Sequence, residues 1–198
     1  MTRSFSRYAI LLILLLLTIP ALAEETRQNL HPRVMMETSE GNIVLELDRA
    51  KAPRTVENFL QYVNDGFYDG TIFHRVIRDF MIQGGGYTTD FRKKKTRAPI
   101  PNEADNGLSN RRGTIAMART SEPHSATAQF FINTFNNRHL DFRAPTEAGY
   151  GYAVFGKVIS GINVVQRIQS LPIQSIDKRL PNVPQPVVVI KRVSIIEK

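Results

Sequence analysis

Cysteine is absent from this chain of 198 residues. The absence excludes disulfide bonds, zinc sites built from thiolates and cysteine nucleophiles. It also excludes a lipid anchor attached through an acylated cysteine. A chain of this length is expected to form one domain, with or without a short appendage. The core of that domain must therefore be stable without covalent cross-links.

The usual patterns of catalytic residues are missing as well. The four histidines show neither H-x-H nor H-E-x-x-H spacing, so no metal site is predicted. The glycines Gly84–Gly86 lack the Lys-Ser/Thr that follows a phosphate-binding loop, and a turn is the predicted structure. A Ser-His-Asp catalytic triad could be proposed from Ser125, His124 and Asp141, but the sequence around the serine does not resemble a nucleophile turn. We expect neither a covalent intermediate nor a cofactor.

The N-terminal segment has the features of an export signal. Arg3 and Arg7 precede an unbroken apolar run from Ala9 to Leu17, and Ala21–Ala23 supplies a small-x-small exit. This order is typical of a cleaved signal peptide. The alternative is a membrane anchor, but a span needs roughly 20 apolar residues and this stretch is shorter and contains a proline. We predict a signal peptide over residues 1–23, cleavage after Ala23, and no stable membrane insertion after cleavage.

Basic residues outnumber acidic ones, and the formal net charge of the chain is +8. Part of this charge lies in two basic segments, Arg92–Arg97 and Arg111–Arg112. Nucleic-acid binding is the alternative that they raise, but Phe91 is the only aromatic residue interleaved with the first segment. An exported protein also meets little nucleic acid. We interpret the basic run as a solvated loop and predict no nucleic-acid partner.

Residues 24–33 are polar, and we expect them to form a flexible mature N-terminus. Residues 34–198 are predicted to form one domain, in which short strand patterns dominate. The first two strands are predicted to join through a tight turn at Gly41-Asn42. Turn-rich stretches separate the other predicted strands. The predicted strands are Val34–Thr38, Ile43–Leu47, Thr71–Ile77, Phe80–Gln83, Thr114–Ala118, Phe130–Thr134, Tyr152–Val158, Val187–Ile190 and Val193–Ile196.

Two segments have helical periodicity. Val56, Phe59, Leu60 and Val63 recur at i, i+3, i+4 and i+7 after Pro53, which is tolerated in a first turn. A second, shorter helix is predicted after Gly161, with three apolar residues on one face, namely Ile162, Val165 and Ile168. Many short strands with only two helices favour a closed or nearly closed β-barrel that is capped at its ends.

Three segments together resemble the cyclophilins, and specifically the single-domain periplasmic cyclophilins of bacteria. They are Phe73–Gly85 (FHRVIRDFMIQGG), Gln129–Ile132 (QFFI) and Val154–Val158 (VFGKV). The resemblance extends from about Val34 to the C-terminus. It implies a closed eight-stranded antiparallel barrel with a helix over each open end. It also implies a peptidyl-prolyl cis/trans isomerase of the periplasm that acts on proline-containing, unfolded or partly folded polypeptides.

The resemblance also implies the site residues. Arg75 matches the catalytic arginine of the family. The remaining matches are positions that bind substrate: Phe80, Met81, Gln83, Ala118, Arg119, Gln129, Phe131, His139, Leu140 and Tyr152.

Three of these positions depart from the common family pattern. Arg119 stands where an asparagine is usual, but the asparagine contacts substrate through its backbone, so the contact can persist. His139 stands where many eukaryotic members have a tryptophan that is tied to cyclosporin binding, so we expect weak cyclosporin binding. Tyr152 replaces a common pocket histidine. The alignment of the loop Ser121–Thr127 with the family pattern stays open. Between Thr120 and Gln129 this chain is one residue longer than the eukaryotic members.

An arginine suits the reaction that the resemblance implies. Rotation about an X-Pro bond breaks no covalent bond, and in the twisted state the proline nitrogen becomes a hydrogen-bond acceptor. A guanidinium is permanently charged and offers several donors, so Arg75 can stabilise that state over the planar amide. The alternative is a non-catalytic chaperone module whose pocket holds proline-containing peptides without isomerising them.

Overall fold

The computed structural model describes residues 29–196. Within this range the helices are α1 (Pro53–Asn64) and α2 (Ile162–Ser170), and a 3-10 turn covers Arg138–Leu140. The strands are β1 (Arg33–Thr38), β2 (Gly41–Leu47), β3 (Thr71–Ile77), β4 (Met81–Thr88), β5 (Thr114–Met117), β6 (Phe130–Asn133), β7 (Val154–Ser160), β8 (Ile173–Gln174), β9 (Val183–Pro184) and β10 (Val189–Ile196).

Eight of these strands close into an antiparallel barrel in the order β1-β10-β3-β4-β6-β5-β7-β2. The predicted fold class, a mainly β chain with a closed eight-stranded barrel and two helices, is confirmed. Alternation explains the layering of the wall: Val34 and Met36 of β1 point into the core, whereas Arg33 faces outward. On the outer face Arg33 and Lys157 form ion pairs with Glu46 at 3.1 and 3.3 Å across the neighbouring strands.

Helix α1 packs its predicted apolar face into the barrel core, and that prediction is confirmed. Phe59 lies 5.8 Å from the ring of Phe130 and 5.2 Å from that of Phe155, measured between centroids. The N-terminus of α1 has no side-chain cap from Ala52. Instead, the carboxylate of Glu103 accepts the first-turn amides, with the Thr55 nitrogen at 2.8 Å. A distant loop therefore completes this helix.

Two details of the first half of the barrel differ from the prediction. The hairpin turn between β1 and β2 lies at Ser39–Glu40, and Gly41 already belongs to β2 with φ +124°. The glycines Gly84–Gly86 do not end a strand but lie inside β4. A β-carbon at Gly84 would come within 3.1 Å of the Phe73 ring, so glycine here permits close packing of β4 on β3.

The C-terminal part of the barrel differs in one further respect. Val187–Ile190 and Val193–Ile196 were predicted as two strands, but one continuous strand, β10, covers residues 189–196. A bulge in its pairing with β1, between Glu37 and Thr38, accommodates the interruption of the apolar pattern. The short sheet of β8 and β9 carried no recognisable sequence signal.

The predicted signal peptide, residues 1–23, lies outside the described residues. The predicted N-terminal segment 24–33 is described from Asn29 onward, where the carbonyl of Leu30 accepts the amide of Arg49 at 3.0 Å. In the range 29–196 neither helix has the length and apolar character needed to cross a membrane.

Candidate active site

Adjacent strands place Arg75 beside a pair of glutamines. Arg75 of β3 is opposite Gln83 of β4 in the strand register. The Nη1 of Arg75 donates a hydrogen bond to Oε1 of Gln83 at 3.3 Å, and Nε2 of Gln83 donates to Oε1 of Gln129 at 2.9 Å. This chain of hydrogen bonds holds the half-buried guanidinium in one orientation.

His74 precedes Arg75 on the same strand and points to its other side. Its imidazole is buried and packs against the ring of Tyr87, with centroids 4.7 Å apart. Burial lowers the pKa of His74 to about 4, so the imidazole is neutral near pH 7. The strand alternation therefore gives His74 a structural position and directs Arg75 to the surface of the barrel.

An apolar pocket lies next to Arg75, outside the barrel core. Its buried base contains Met81 and Phe131, which pack with Ala116 and Val154 in a cluster separate from the main core. The pair Phe130-Phe131 explains this arrangement, because neighbouring residues of β6 face opposite sides of the sheet. Phe130 fills the barrel, and Phe131 faces the pocket.

The pocket has a volume of about 90 Å³. Tyr152 meets Phe131 edge-on, with ring centroids 5.6 Å apart, and forms one side. Most of the predicted site residues meet here, and the pocket is lined by Arg75, Phe80, Met81, Gln83, Ala118, Arg119, Phe131, Leu140 and Tyr152.

The two other predicted residues lie beside the pocket. Gln129 stands behind Gln83 as its hydrogen-bond partner. His139 is exposed on the 3-10 turn and stacks on Phe80, with an interplanar angle of 19° and centroids 5.8 Å apart. The structure thus groups all eleven predicted positions in one region, although two of them do not line the pocket.

A buried network of asparagines fixes this rim, and sequence reasoning missed it. Nδ2 of Asn137 donates to the carbonyl of Phe80 at 2.7 Å and to Oδ1 of Asn133 at 2.8 Å. Nδ2 of Asn110 donates to the carbonyl of Leu140 at 3.3 Å and is joined to Asn133 through its own Oδ1. All three amides are buried, so the network links the two walls of the pocket.

The three residues considered for a Ser-His-Asp triad form hydrogen bonds with other groups. Nδ1 of His124 accepts the amide of Asn102 at 3.1 Å, while Oγ of Ser125 donates to the carbonyl of Glu122 at 2.7 Å. Asp141 accepts the amide of Asn110 at 2.7 Å. These contacts exclude a serine hydrolase arrangement of the three side chains. Across residues 29–196 no group of three histidine or carboxylate side chains is placed to hold a metal ion.

A family model described as cyclophilin type peptidyl-prolyl cis-trans isomerase matches residues 33–195. The chain belongs to this family. The cyclophilin-type activity follows from that membership: the protein is a peptidyl-prolyl cis-trans isomerase. The predicted family and enzyme class are confirmed.

Bacterial isomerases are among its relatives. It is 51% identical over 179 residues to peptidyl-prolyl cis-trans isomerase A of Dickeya dadantii, which covers 90% of each chain. It is 54% identical over 138 residues to isomerase B of Escherichia coli, covering 70% of this chain and 84% of the relative. An isomerase of Streptomyces antibioticus is 62% identical over 138 residues, or 70% of this chain and 83% of the relative.

The fold also matches solved cyclophilin structures. A cyclophilin type isomerase of Cryptosporidium parvum, crystallised in the presence of the dipeptide Ala-Pro, superimposes with a TM-score of 0.66. The match covers 84% of this chain and 99% of the other, at 28% sequence identity.

Proposed function

We propose that this cyclophilin-type isomerase accelerates rotation about X-Pro bonds by donating a hydrogen bond from Arg75 to the proline nitrogen. The observation that carries the proposal is the position of Arg75 at the edge of an apolar pocket, oriented by Gln83. The pocket side chains Phe80, Met81 and Phe131 hold the proline ring, and the arginine faces the amide.

The uncatalysed barrier, ~18–20 kcal/mol, comes from amide resonance. Twisting the bond removes the resonance and returns a lone pair to the nitrogen. A donor aimed at that lone pair binds the twisted state more strongly than the planar one, which is the requirement for catalysis. Arg75 meets the requirement without taking up or losing a proton.

Arg75 can supply only part of the reduction in the activation free energy. An acceleration of about 10⁵-fold needs about 7 kcal/mol, whereas one hydrogen bond to a charged group contributes roughly 1.5–3 kcal/mol. The remainder comes from the apolar walls, including Phe131 and Leu140. These side chains exclude water around a twisted amide that is less polar than the planar one.

The substrates are proline-containing polypeptides that are unfolded or partly folded. The Ala-Pro dipeptide used with the Cryptosporidium parvum structure supports a proline-binding role for the same fold. The sequence of residues 1–23 supports export to the periplasm, where such chains fold after secretion. His139 stacks on Phe80 at the rim without the size of an indole, which supports the expectation of weak cyclosporin binding.

The deciding experiment compares the parent with an Arg75→Ala variant in a proline-isomerisation assay. Loss of one charged hydrogen bond lowers kcat/KM by roughly 10- to 150-fold. Arg78→Ala is the matched control: Arg78 follows the same strand, is exposed, and does not line the pocket. We expect parent-like kinetics from this control.

The chaperone alternative predicts a different result. If Arg75→Ala bound proline-containing peptides and isomerised them as fast as the parent, the arginine mechanism would be wrong. If the parent itself bound peptides without accelerating isomerisation, the chaperone module would replace the catalytic proposal. Circular dichroism and thermal unfolding of each variant separate both results from loss of structure.

A further inference from the structure

A second cavity, here called the side groove, opens beside the apolar pocket. It has a volume of about 710 Å³ and shares Arg119, Leu140 and Tyr152 with the pocket. A peptide with its proline in the pocket therefore places residues on one side of the proline into the side groove. The other lining residues are Thr120, Ser121, His139, Glu147, Ala148 and Gly151.

The guanidinium of Arg119 stands at the junction of the two cavities and is held there. Its Nε donates to the carbonyl of Gly151 at 2.9 Å, and Nη1 donates to the carbonyls of Thr120 and Ser121, both at 2.8 Å. Its central carbon lies 4.7 Å from the centroid of the Tyr152 ring. The side chain is thus ordered before any ligand binds, which reduces the entropy lost on binding.

One part of this guanidinium remains available. Nη2 has only a contact of 3.5 Å with the carbonyl of Glu147, which is at the limit of a hydrogen bond. The four hydrogen-bond acceptors around Arg119 are backbone carbonyls, and none of the ion pairs found among residues 29–196 includes this side chain. A carboxylate from a ligand would therefore meet a positive charge with donors to spare.

We propose that Arg119 forms a subsite for an acidic substrate side chain within three residues of the proline. The inference rests on the proposed function, because it needs the proline to occupy the apolar pocket. A fixed positive charge with an available Nη2 donor favours Glu or Asp over the uncharged Gln or Asn. Glu147 contributes its own negative charge to the side groove and weakens this preference.

The test uses pairs of short peptides that carry Glu or Gln at each of the three positions on either side of one proline. The ratio of kcat/KM for Glu over Gln is measured for each pair. Because the site is partly exposed, we expect the parent to favour Glu roughly two- to fivefold at one position. The ratio of kcat/KM for Glu over Gln falls towards one at about 1 M salt, because the Debye screening length is then only ~3 Å.

Substitutions at Arg119 and Glu147 test whether Arg119 causes the preference for Glu over Gln. Arg119→Gln brings the ratio to one, and Arg119→Lys retains part of it because the charge remains. Glu147→Gln raises the ratio. Arg112→Gln is the matched control, since it removes one exposed positive charge that lies outside both cavities, and it leaves the ratio at the parent value.

Two results would overturn the subsite. One is a parent ratio of one at all six positions; the other is a preference that survives Arg119→Gln and so belongs to Arg75 or to the overall charge. Failure of the parent to isomerise the Gln peptides would instead contradict the proposed function. In that case the ratio of dissociation constants for the Glu and Gln peptides, measured by calorimetry, still decides the subsite.

Discussion

At the scale of single residues, the orientation of Arg75 depends on a neutral partner. Gln83 accepts a hydrogen bond from Arg75 and donates one to Gln129, so its amide is used on both sides. A carboxylate at this position would bind the guanidinium more strongly and compete with the substrate. The amide instead orients the arginine and leaves its charge available for the proposed hydrogen bond to the proline nitrogen.

Gln83→Met removes both hydrogen bonds at nearly constant side-chain size. We expect kcat to fall about two- to tenfold with a smaller change in KM, because a misoriented guanidinium loses only part of the roughly 1.5–3 kcal/mol that a hydrogen bond to a charged group contributes. The same substitution is then made in the Arg75→Ala background. A positioning role predicts little further loss there, whereas an equal loss in both backgrounds would show that Gln83 acts independently of Arg75.

His74 makes stability depend on pH. Its folded-state pKa of about 4 lies below the unfolded value of about 6.5, so on acidification the unfolded chain binds a proton first. The free energy of unfolding therefore decreases as pH falls from about 6.5 to about 4, by up to about 3 kcal/mol from this group. Well above pH 6.5 the histidine is neutral in both states and contributes no slope.

Urea denaturation of the parent and of His74→Gln at several pH values measures this effect. For each protein the slope of the free energy of unfolding against pH is determined separately, and the two slopes are then compared. A general loss of stability in the variant shifts all of its values equally and leaves its slope unchanged. We expect a shallower slope for His74→Gln between pH 6.5 and 4.5. An unchanged slope would mean that other groups account for the acid sensitivity.

At the scale of elements, α1 depends on a residue 48 positions away from its first turn. Glu103 accepts the amides of Arg54 and Thr55 at 3.1 and 2.8 Å and the hydroxyl of Thr55 at 2.7 Å. The carboxylate also interacts favourably with the positive end of the helix dipole. The loop before β5 is thereby attached to the helix that fills one end of the barrel.

Glu103→Ala leaves these donors without a protein acceptor. We expect a loss of about 1–2 kcal/mol in the free energy of unfolding, as for other lost N-terminal caps. Glu103→Gln keeps one acceptor oxygen and loses less. Glu122→Ala, which removes an exposed carboxylate elsewhere, serves as the control in the same urea titrations. Equal stabilities for the Ala and Gln variants of Glu103 would contradict a capping role.

The basic run shows why an element cannot be assigned from charge alone. The segment is largely exposed, which agrees with the interpretation as a solvated loop. However, Lys94 lies 4.5 Å from the centroid of the Phe67 ring, and Arg97 forms an ion pair with Asp65 and stacks on Tyr62 at 5.3 Å. Two of its charges thus attach the loop to α1 and to the turn that follows it.

At the scale of the whole molecule, barrel closure explains how a chain without cysteine forms a stable domain. Closure leaves no unpaired edge strand in the barrel, so the sheet offers no template for aggregation. One large apolar core, which includes Phe59, Phe130 and Phe155, fills the interior. The stability of the domain therefore comes from burial and hydrogen bonding rather than from covalent links.

The proposed export is tested on the full chain expressed in a bacterium with a periplasm. We expect the protein in the periplasmic fraction with Glu24 as its first residue, shown by intact mass. Leu14→Arg interrupts the apolar run of the signal and retains the protein, uncleaved, in the cytoplasm. Recovery of the parent in the membrane fraction with residues 1–23 attached would favour the anchor instead.

The sequence by itself determined the features that depend on neighbouring residues. Short apolar runs between turn-rich stretches predicted most barrel strands, and the i, i+3, i+4 pattern predicted α1. The three motif segments, including the one around Arg75, predicted the family. The β4 glycines were misread as a turn, because their purpose is close packing on Phe73, a residue of another strand. Local patterns cannot report such an approach.

Only the tertiary structure decided the features that join distant parts of the chain. The Glu103 cap, the bond from Asn110 to the Leu140 carbonyl and the bond from Arg119 to the Gly151 carbonyl each connect segments that are 20 or more residues apart. Polar side chains in loops carry no periodic signal, since their partners are set by how the barrel closes and not by chain spacing. The sequence therefore predicted Arg75 as the candidate catalytic residue, and the contacts that orient its side chain were visible only in the fold.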